Sequence, residues 1–533
     1  MTFLLRALVA FSLLSMEAAL AEIVLHRGNG TEPDTLDPHR GTGTWENNII
    51  GDMFLGLTTE NPKGEAIPGA AENWMVSDDG LVYTFKLRDG LVWSDGVPVT
   101  ASDFVFGFRR VINPMTASQY GSLLYPIKNA YAINTGQLNP DQMGIRAIDP
   151  QTVEITLEAP APFLPELLSH YTTYPIPQHV VEKFGDDWVK PGKMVSNGAY
   201  VLQEWVSNSQ VKVTKNPLFY DADNVAINTV YYYPIEDSRT AVRMFKSGEI
   251  HMNISTGGFP APQIKELLAE MPGEARVYPY LGSSYFPMNT SRPPFDDVRV
   301  RKAVSMLIDR DIINERILPV GNKTAYAFVP PETANHQAGA QVDFADWSMS
   351  KRTIEAKRLL KNAGYDDDNP LRFELIFRSS YDNQRVMAGT AAMLRRAGVI
   401  ADIAGFETRI AYNRLQTGDY VMGDAGWVAD YNDPYNFLYL LLCDAGPMNY
   451  PNYCNPEYDA LIQKAALTLD LGERARLMSE AEQVMLNDHP VVTIDFSTHR
   501  NLVSKRVNGF EDAINNIHRT RFMSLDKTKA AQR

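Results

Sequence analysis

Residues 423–437 read GDAGWVADYNDPYNF, a short apolar segment broken by a turn. The segment carries an indole at Trp427, carboxylates at Asp424 and Asp430, and a phenol at Tyr431. A carboxylate beside aromatic walls can hold an ammonium group out of water, which predicts a binding cleft here. The alternative is an ordinary strand end and turn, with Asp430 capping the segment that comes next.

Length and charge set the class of protein to expect. The chain has 533 residues, 44% hydrophobic and 21% charged, which is the composition of a globular protein. Because single hydrophobic cores stop growing near about 250–300 residues, we expect more than one lobe. The formal net charge of -14 argues against binding to nucleic acid or to an anionic membrane surface.

The first 21 residues have the pattern of a signal peptide rather than of folded structure. Arg6 supplies a positive charge, residues 7–14 are apolar, and residues 19–21 read ALA, the small-x-small pattern of a cleavage site. No cysteine lies near the predicted cut after Ala21, so no lipid anchor is expected. No later stretch has the roughly 18 apolar residues of a membrane helix, so we expect an exported, soluble protein.

The chain contains two cysteines, Cys443 and Cys454. In an oxidising compartment they could close a short loop, a crosslink worth roughly 3 kcal/mol in the chain-entropy model. The alternative is a pair of free buried thiols. The predicted export signal favours the disulfide.

Hydrophobic periodicity predicts a mixture of strands and helices. Alternation predicts strands at 81–88, 153–157 and 210–215. Helical spacing predicts helices at 45–57, 104–111, 241–247, 295–309, 351–363 and 383–397. Strand, helix and strand succeed one another from 371 to 404, which predicts an α/β lobe with a crossover connection. The fold class predicted is therefore α/β.

No motif for catalysis or metal binding is visible. The nine histidines are scattered, and the sequence contains no HExxH, G-x-S-x-G, GxGxxG or Walker A pattern. We therefore expect no metal, no cofactor and no enzyme activity.

Five segments cover nearly the whole mature chain in order: 35–39 (TLDPH), 93–104 (WSDGVPVTASDF), 293–303 (PPFDDVRVRKA) after Asn289, 355–365 (EAKRLLKNAGY) and 426–431 (GWVADY). Together they resemble one known family, the extracytoplasmic peptide-binding proteins of ABC importers, and most closely its oligopeptide-binding members. The resemblance implies two α/β lobes that close by a hinge and a smaller inserted third lobe. Its boundaries would be 22–55, 180–281 and 497–533 for the first lobe, 56–179 for the insert and 282–496 for the third lobe.

The same resemblance implies a set of ligand contacts. Asp430 matches the acid that pairs with a peptide α-ammonium, and Gly426, Trp427 and Val428 match the segment that pairs with peptide backbone. The remaining matched positions are Thr42, Gly43 and Thr44 opposite that segment, and Tyr120, Tyr280, Tyr285 and Asn449 in the pockets. Ordinary core packing is the alternative for Trp427 and for these four pocket positions, and a plain loop is the alternative for 42–44.

The sequence departs from the family pattern most sharply at Asp424. Oligopeptide binders carry an arginine there that meets a ligand carboxylate, whereas Asn383 and Thr408 replace a familiar histidine and tryptophan. If Asp424 faces the ligand, it favours a second positive charge on that ligand. The alternative is that Asp424 pairs with a local base such as Arg385 or Arg409.

The resemblance predicts a periplasmic monomer that captures oligopeptides and delivers them to an inner-membrane ABC permease. Within the family the rival is a binder of a non-peptide solute such as an opine or a peptide-like conjugate. From other classes the rivals are an exported peptide hydrolase and a peptide-binding chaperone.

Overall fold

The computed structural model describes residues 22–254 and 258–526. The predicted signal peptide, residues 1–21, lies outside the described residues. Within them no helix is both long enough and apolar enough to cross a membrane.

The largest sheet, here called the main sheet, draws its strands from both ends and from the middle of the chain. Across the sheet, neighbouring strands have the order Ala425–Val428, Ala275–Pro287, Val491–Val503, Met252–Asn253, Val24–Gly28, Thr229–Tyr233, Gln210–Lys215 and Tyr200–Val206, with Lys323–Thr324 also paired to Val491–Val503. Val24–Gly28 pairs in parallel with both of its neighbours, and the other pairs are antiparallel. The chain therefore returns to this sheet several times.

Two long strands of the main sheet, Ala275–Pro287 and Val491–Val503, run side by side through the middle of the molecule. Their register shifts between Pro279 and Ser283, where residues 280–282 face Ser497 alone. The bulge leaves Leu281 out of this ladder; its N–H donates to the carbonyl of Ile514 instead. A bulge of this kind bends and twists the strand that carries it.

A separate four-stranded antiparallel sheet lies within the predicted insert. Its order is Ala71–Val76, Val82–Leu87, Thr152–Thr156 and Ile145–Asp149. Inward and outward side chains alternate in Val82–Leu87, as the sequence predicts for a strand with one buried face. Thr58–Glu60 and Ala66–Pro68 form a small ladder beside this sheet.

Residues 282–496, predicted as the third lobe, are here called the third region. They contain a parallel sheet with the order Ile400–Phe406, Arg372–Arg378 and Met422–Gly423. Helix Tyr381–Arg396 connects the first two strands, so the predicted strand–helix–strand crossover is confirmed. The short strand Met422–Gly423 leads directly into Ala425–Val428, which joins the parallel sheet to the edge of the main sheet. A further short ladder pairs Val507–Asn508 with Ser524–Leu525.

The helices surround these sheets. The α-helices are Thr44–Met53, Ala101–Ile112, Ala130–Asn134, Leu164–Leu167, Gln178–Phe184, Ser238–Ser247, Ile264–Glu270, Val298–Leu307, Arg310–Ile312, Met349–Asn362, Tyr381–Arg396, Thr408–Gln416, Tyr435–Leu438, Pro456–Ala466 and Leu471–Asp488. The predicted helices are all present, with ends shifted by a few residues. The helix predicted from 295 begins at Val298 because Asp297 accepts a hydrogen bond from the Arg299 N–H and caps it. The helix predicted to reach 57 ends at Met53, where the chain turns extended at Phe54.

Buried apolar side chains gather in two large clusters. One extends from Leu25 to Met523 and includes residues of both the first lobe and the insert. The other extends from Leu281 to Ile514 and covers the third region. Packing therefore divides the molecule into two bodies, with the insert attached to the first.

The two cysteines form a disulfide, which confirms that prediction. Cys443 and Cys454 are bonded and their Cα atoms lie 4.5 Å apart. The bond closes the loop between helix Tyr435–Leu438 and helix Pro456–Ala466 in the third region.

Candidate ligand-binding site

The strand Ala425–Val428 forms one edge of the main sheet, where its partner among the described residues is Ala275–Pro287. The Ala429 N–H donates to the Leu281 carbonyl at 2.9 Å, which sets the alternation of the ladder. In an antiparallel pair alternate residues bond to the neighbouring strand, so Trp427 bonds inward while the backbone groups of Gly426 and Val428 face the open edge. An unpaired strand edge is a template for another extended chain.

A cavity of about 1350 Å³ lies against this edge. One wall comes from the insert, residues 119–167, and the other from the third region, residues 409–466. Gly426, Trp427, Val428, Asp430 and Tyr120 all line it, so the structure brings these five predicted positions together. The volume exceeds that of a typical small-molecule pocket, roughly 300–1,000 Å³, and suits an extended ligand.

The Asp430 carboxylate is the most unusual charge in the cavity. It forms no ion pair and accepts no hydrogen bond within residues 22–254 and 258–526, although its own N–H donates to Asn436 Oδ1 at 3.3 Å. Burial raises the pKa of Asp430 to about 6. A crowded carboxylate without a counter-charge is unfavourable in the empty protein, and a ligand ammonium would relieve that cost.

Two tyrosines lie near Asp430, Tyr120 from the insert and Tyr280 from the strand that pairs with the edge strand. Burial, together with the nearby Asp430 charge, raises the pKa of Tyr120 and of Tyr280 to about 12 each. The Tyr120 hydroxyl donates to the Thr42 carbonyl over a long 3.5 Å contact, which places 42–44 beside the site. Neutral phenols surround the carboxylate without neutralising it.

Aromatic side chains form the wall beyond Asp430. The Trp427 indole N–H donates to Asn436 Oδ1 at 2.8 Å, and its ring meets the edge of Tyr439 at 6.2 Å. Tyr439 stacks on Tyr435 at 6.0 Å. These rigid surfaces offer apolar area at a low cost in side-chain entropy.

Phe163 connects the insert to the third region. Its ring stacks on Tyr431 at 4.8 Å and on Tyr435 at 5.3 Å. Beneath it, Arg474 and Asp433 form a fully buried bidentate ion pair with N–O distances of 2.6 and 2.8 Å. The sequence pattern did not identify Phe163, because its stacking partners lie far along the chain.

A second cavity of about 280 Å³ lies beside the bulge of the main sheet. Thr44, Tyr280 and Val428 line it together, so Thr44 lies near the edge strand. Thr42 and Gly43 line neither cavity. Gly43 instead caps helix Thr44–Met53, and its N–H donates to Glu46 Oε2 at 2.7 Å.

The structure gives Asp424 an internal partner. Arg378 donates to both carboxylate oxygens, at 2.9 and 3.1 Å, and the Asn383 amide adds a third hydrogen bond at 3.1 Å. Asp424 is buried and does not line the large cavity. The local-base alternative therefore describes this geometry, but the base is Arg378 and neither of the two arginines named from the sequence. We assign Asp424 no contact with the ligand.

Two other predicted pocket positions lie in the core. Tyr285 is almost fully buried, and its ring meets the edge of Phe328 at 5.1 Å. The Asn449 amide donates to the carbonyls of Leu442 and Tyr453, which holds the disulfide loop. Neither residue lines the large cavity or the small one, so both match the packing alternative in this structure.

One helix face in the cavity wall was not predicted from the sequence. Arg409, Tyr412, Asn413 and Gln416 of helix Thr408–Gln416 all line the large cavity. Their spacing of three and four residues is the signature of a single helix face. That spacing was visible in the sequence, but nothing in it showed that the face meets a cleft rather than solvent.

Within the described residues no group of three or more His, Cys, Asp or Glu side chains is placed to hold a metal ion. The site therefore consists of an open strand edge, one uncompensated carboxylate and aromatic walls between two bodies of the protein. This arrangement is that of a solute-binding protein, which encloses a ligand between its lobes.

Comparison with known proteins identifies the family. Residues 65–449 match the model of the bacterial extracellular solute-binding proteins, family 5. The chain is 37% identical to the periplasmic oligopeptide-binding protein OppA of Salmonella typhimurium, over 93% of this chain and 91% of the relative. The chain belongs to family 5 of the bacterial extracellular solute-binding proteins, and members of this family are binding proteins rather than enzymes.

Other similar proteins differ in the ligand that their names give and in whether their solved structures contain a ligand. The probable deoxycholate-binding periplasmic protein YgiS of Escherichia coli is 36% identical over 91% of this chain and 90% of that protein. Among solved structures, the unliganded open form of the periplasmic murein tripeptide-binding protein MppA has a TM-score of 0.84 at 33% identity, covering 95% of this chain and 98% of that one. Haemophilus influenzae OppA in complex with RPPGFSPFR has a TM-score of 0.77 at 32% identity, covering 95% of this chain and 99% of that one.

Proposed function

We propose that the protein is the substrate-binding component of a peptide ABC importer. It captures oligopeptides in the periplasm and delivers them to an inner-membrane permease. The observation that carries the proposal is Asp430, an uncompensated carboxylate at the end of an open strand edge in a cavity of about 1350 Å³. A peptide supplies both complements, an α-ammonium for Asp430 and an extended backbone for the edge.

The open edge accounts for binding that is broad in side-chain preference. Gly426 and Val428 present N–H and C=O groups to a ligand strand, and such main-chain bonds are the same for every peptide sequence. The roomy aromatic walls then accept varied side chains, with water filling the remaining space. We propose that the ligand is contacted by Gly426, Trp427, Val428, Asp430, Tyr120, Tyr280 and Thr44.

Closure is proposed to occur at the bulge in the two long central strands. The proposed boundaries of the third lobe, at 281/282 and 496/497, coincide with the register shift between Pro279 and Ser283. The proposed first lobe comprises residues 22–55, 180–281 and 497–533. The proposed insert comprises residues 56–179, and the proposed third lobe comprises residues 282–496. The high similarity to an unliganded open form supports an open cleft in this structure.

The proposal extends to the location and partners of the protein. Cleavage after Ala21 would release the protein into the periplasm, where it acts as a monomer and docks on the permease. No enzyme step is assigned, since members of the matched family are binding proteins.

A deoxycholate-type solute is the second candidate, because YgiS is almost as similar as OppA. Deoxycholate is an apolar anion, and an uncompensated Asp430 carboxylate would repel it. The charge of the site therefore favours a ligand with a positive end.

The test is calorimetric titration of the purified protein with matched peptides that differ only at the N-terminus. Peptides with a free α-amine should bind, and N-acetylated versions should bind at least about tenfold more weakly. Deoxycholate is titrated in parallel, and the peptides are recovered to check for cleavage. Equal binding of acetylated and free peptides, or preference for the bile acid, would contradict the peptide role, and cleavage products would point to a hydrolase.

Peptide affinity should also depend on pH through Asp430. The carboxylate titrates with a pKa of about 6 in the empty protein, and an ammonium ligand needs its ionised form. Affinity should be highest near about pH 7 and fall as the pH drops through 6, reaching a loss of about tenfold at pH 5. It should also begin to decline toward about pH 8, where the peptide α-amine, with a pKa of roughly 7.7–8.0, loses its proton. Titration between about pH 5 and 8 checks this expectation. An affinity that stays constant down to the acid end of this range would show that Asp430 does not meet the charge.

A further inference from the structure

The lining of the large cavity carries charges of both signs. Its lining contains three charged side chains in the described residues, namely Glu158, Arg409 and Asp430. Glu158 is engaged locally, because Oε1 accepts the Asn129 backbone N–H at 2.6 Å. Asp430 is the proposed partner of the α-ammonium. Arg409 is therefore the cation of the described cavity lining.

The guanidinium of Arg409 forms no ion pair or hydrogen bond within residues 22–254 and 258–526. Its backbone N–H donates to Glu407 Oε2 at 3.0 Å, but the exposed side chain extends to the cavity. Three other arginines around the site are already neutralised. The ion pairs that neutralise them are Arg378 with Asp424, Arg474 with Asp433, and Arg414 with Glu374.

The position of Arg409 is determined by its helix. Tyr412 lies on the same cavity-lining face, one turn along helix Thr408–Gln416. The Arg378 guanidinium donates to the Tyr412 hydroxyl at 3.1 Å and to Asp424, which ties this face to the beginning of the edge strand. Asp430 stands beyond the other end of that strand. The six residue steps from Asp424 to Asp430 span at most about 20 Å in extended chain.

We propose that Arg409 receives the C-terminal carboxylate of the peptide. This inference rests on the proposed peptide function. With its α-ammonium at Asp430, a peptide running along the edge points its other end toward helix Thr408–Gln416. The edge from Asp430 to Asp424 is as long as a peptide of up to about six residues at roughly 3.3 Å per residue, so a ligand that reaches Arg409 is longer than a dipeptide. A planar guanidinium can bind a carboxylate in a bidentate pair, which adds orientation to attraction.

The Asp424–Arg378 pair explains why the C-terminal carboxylate of the peptide binds Arg409 rather than Arg378. Arg378 is positively charged and near the edge strand, but its donors are occupied by Asp424 and Tyr412. A ligand whose carboxylate stops beside Asp424 meets a cation that is already neutralised, because Arg378 is paired with Asp424. The cleft therefore prefers peptides long enough to reach Arg409.

The test compares free-acid and C-amidated peptides of about two to seven residues, a range that brackets the expected span, on the intact mature protein. In the wild type, amidation should weaken binding at least about tenfold for the longer peptides of this series, and little for dipeptides. Arg409→Gln should remove the difference between acid and amide, and Arg409→Lys should retain part of it because the charge is kept. Arg385→Gln is the matched control, since Arg385 pairs with Asp382 and lies outside the cavity lining.

Each outcome tests one part of the proposal. An amidation effect that persists unchanged in Arg409→Gln, or that is absent from the wild type, overturns the assignment of Arg409 while peptide binding itself stands. N-acetylated peptides in the same series report separately on Asp430. If no peptide of any length binds, the proposed function fails, and the role of Arg409 fails with it.

Discussion

Asp430→Asn is expected to reduce the affinity for free peptides by about 3 kcal/mol, a factor of about 150. The substitution keeps the shape of the side chain and removes the negative charge that an α-ammonium would meet in the cleft. The affinity for N-acetylated peptides should barely change, because these ligands present no charge to residue 430. Calorimetric titration of the wild type and the variant with both peptide sets measures the difference.

The same substitution should stabilise the empty protein. The folded-state pKa of Asp430 is about 6, above the ordinary value of 3.8, so the folded state holds its proton more tightly than the unfolded state. Folding stability therefore falls as the pH rises from about 4 to about 6, and the penalty persists at about pH 7. An uncharged amide at this position lacks the penalty and should raise the unfolding free energy by up to about 3 kcal/mol at about pH 7.

Opposite signs in the two measurements distinguish a binding residue from a structural one. Substituting a residue needed for folding would lower the peptide affinity and the unfolding free energy together. Asp430→Asn should instead lower the peptide affinity and raise the unfolding free energy. Asp419→Asn is a suitable control, because Asp419 is exposed on the third region and pairs with Arg292 and Arg414 away from the cavity. Unchanged affinity in Asp430→Asn would remove the foundation of the peptide proposal.

Arg474→Met is expected to lower the unfolding free energy by about 3–5 kcal/mol, more than any other substitution proposed for this protein. Arg474 and Asp433 are both fully buried, and their opposite charges compensate each other through two hydrogen bonds. Removing the cation leaves an uncompensated carboxylate beneath Phe163, at the contact between the insert and the third region. Urea denaturation with two-state analysis measures the change.

Two further variants make this result specific. Arg476→Gln, on the same helix, removes an arginine on the surface that pairs with Glu473 and Glu480, and it should cost less than about 1 kcal/mol. The double variant Asp433→Asn with Arg474→Met should recover part of the loss, because the new amide oxygen can still accept the Tyr435 N–H without carrying a charge. A single variant Arg474→Met as stable as the wild type would show that solvent reaches this pair.

Local sequence was sufficient for most of the secondary structure. The helix Ala101–Ile112 is capped by Thr100 and Asp103, a capping box that is visible in the sequence itself. The alternation in Gln210–Lys215 places the strand where the structure has it. The presence of two cysteines in an exported chain indicated their disulfide. These features depend on residues within a few positions of one another, or on the compartment of the protein.

The candidate site was only partly accessible from sequence. Residues 426–430 were identified because carboxylate and aromatic residues are adjacent in the chain, and all of them except Ala429 line the large cavity. The partner of Asp424 was not identifiable, because Arg378 comes from a neighbouring strand 46 residues earlier. From the sequence, Arg409 was a candidate only as a partner of Asp424, and its place in the cavity wall depends on how its helix packs.

The sequence by itself determined most of the helices and strands, because periodicity and capping act over short distances. The export signal indicated the disulfide, and the set of motifs indicated the family. Tertiary structure decided which charges remain uncompensated. An ion pair forms wherever packing brings opposite charges within about 4 Å, irrespective of separation along the chain. Packing neutralised Asp424 with Arg378 and Asp433 with Arg474, and left Asp430 and Arg409 without charged partners in the described part of the cleft.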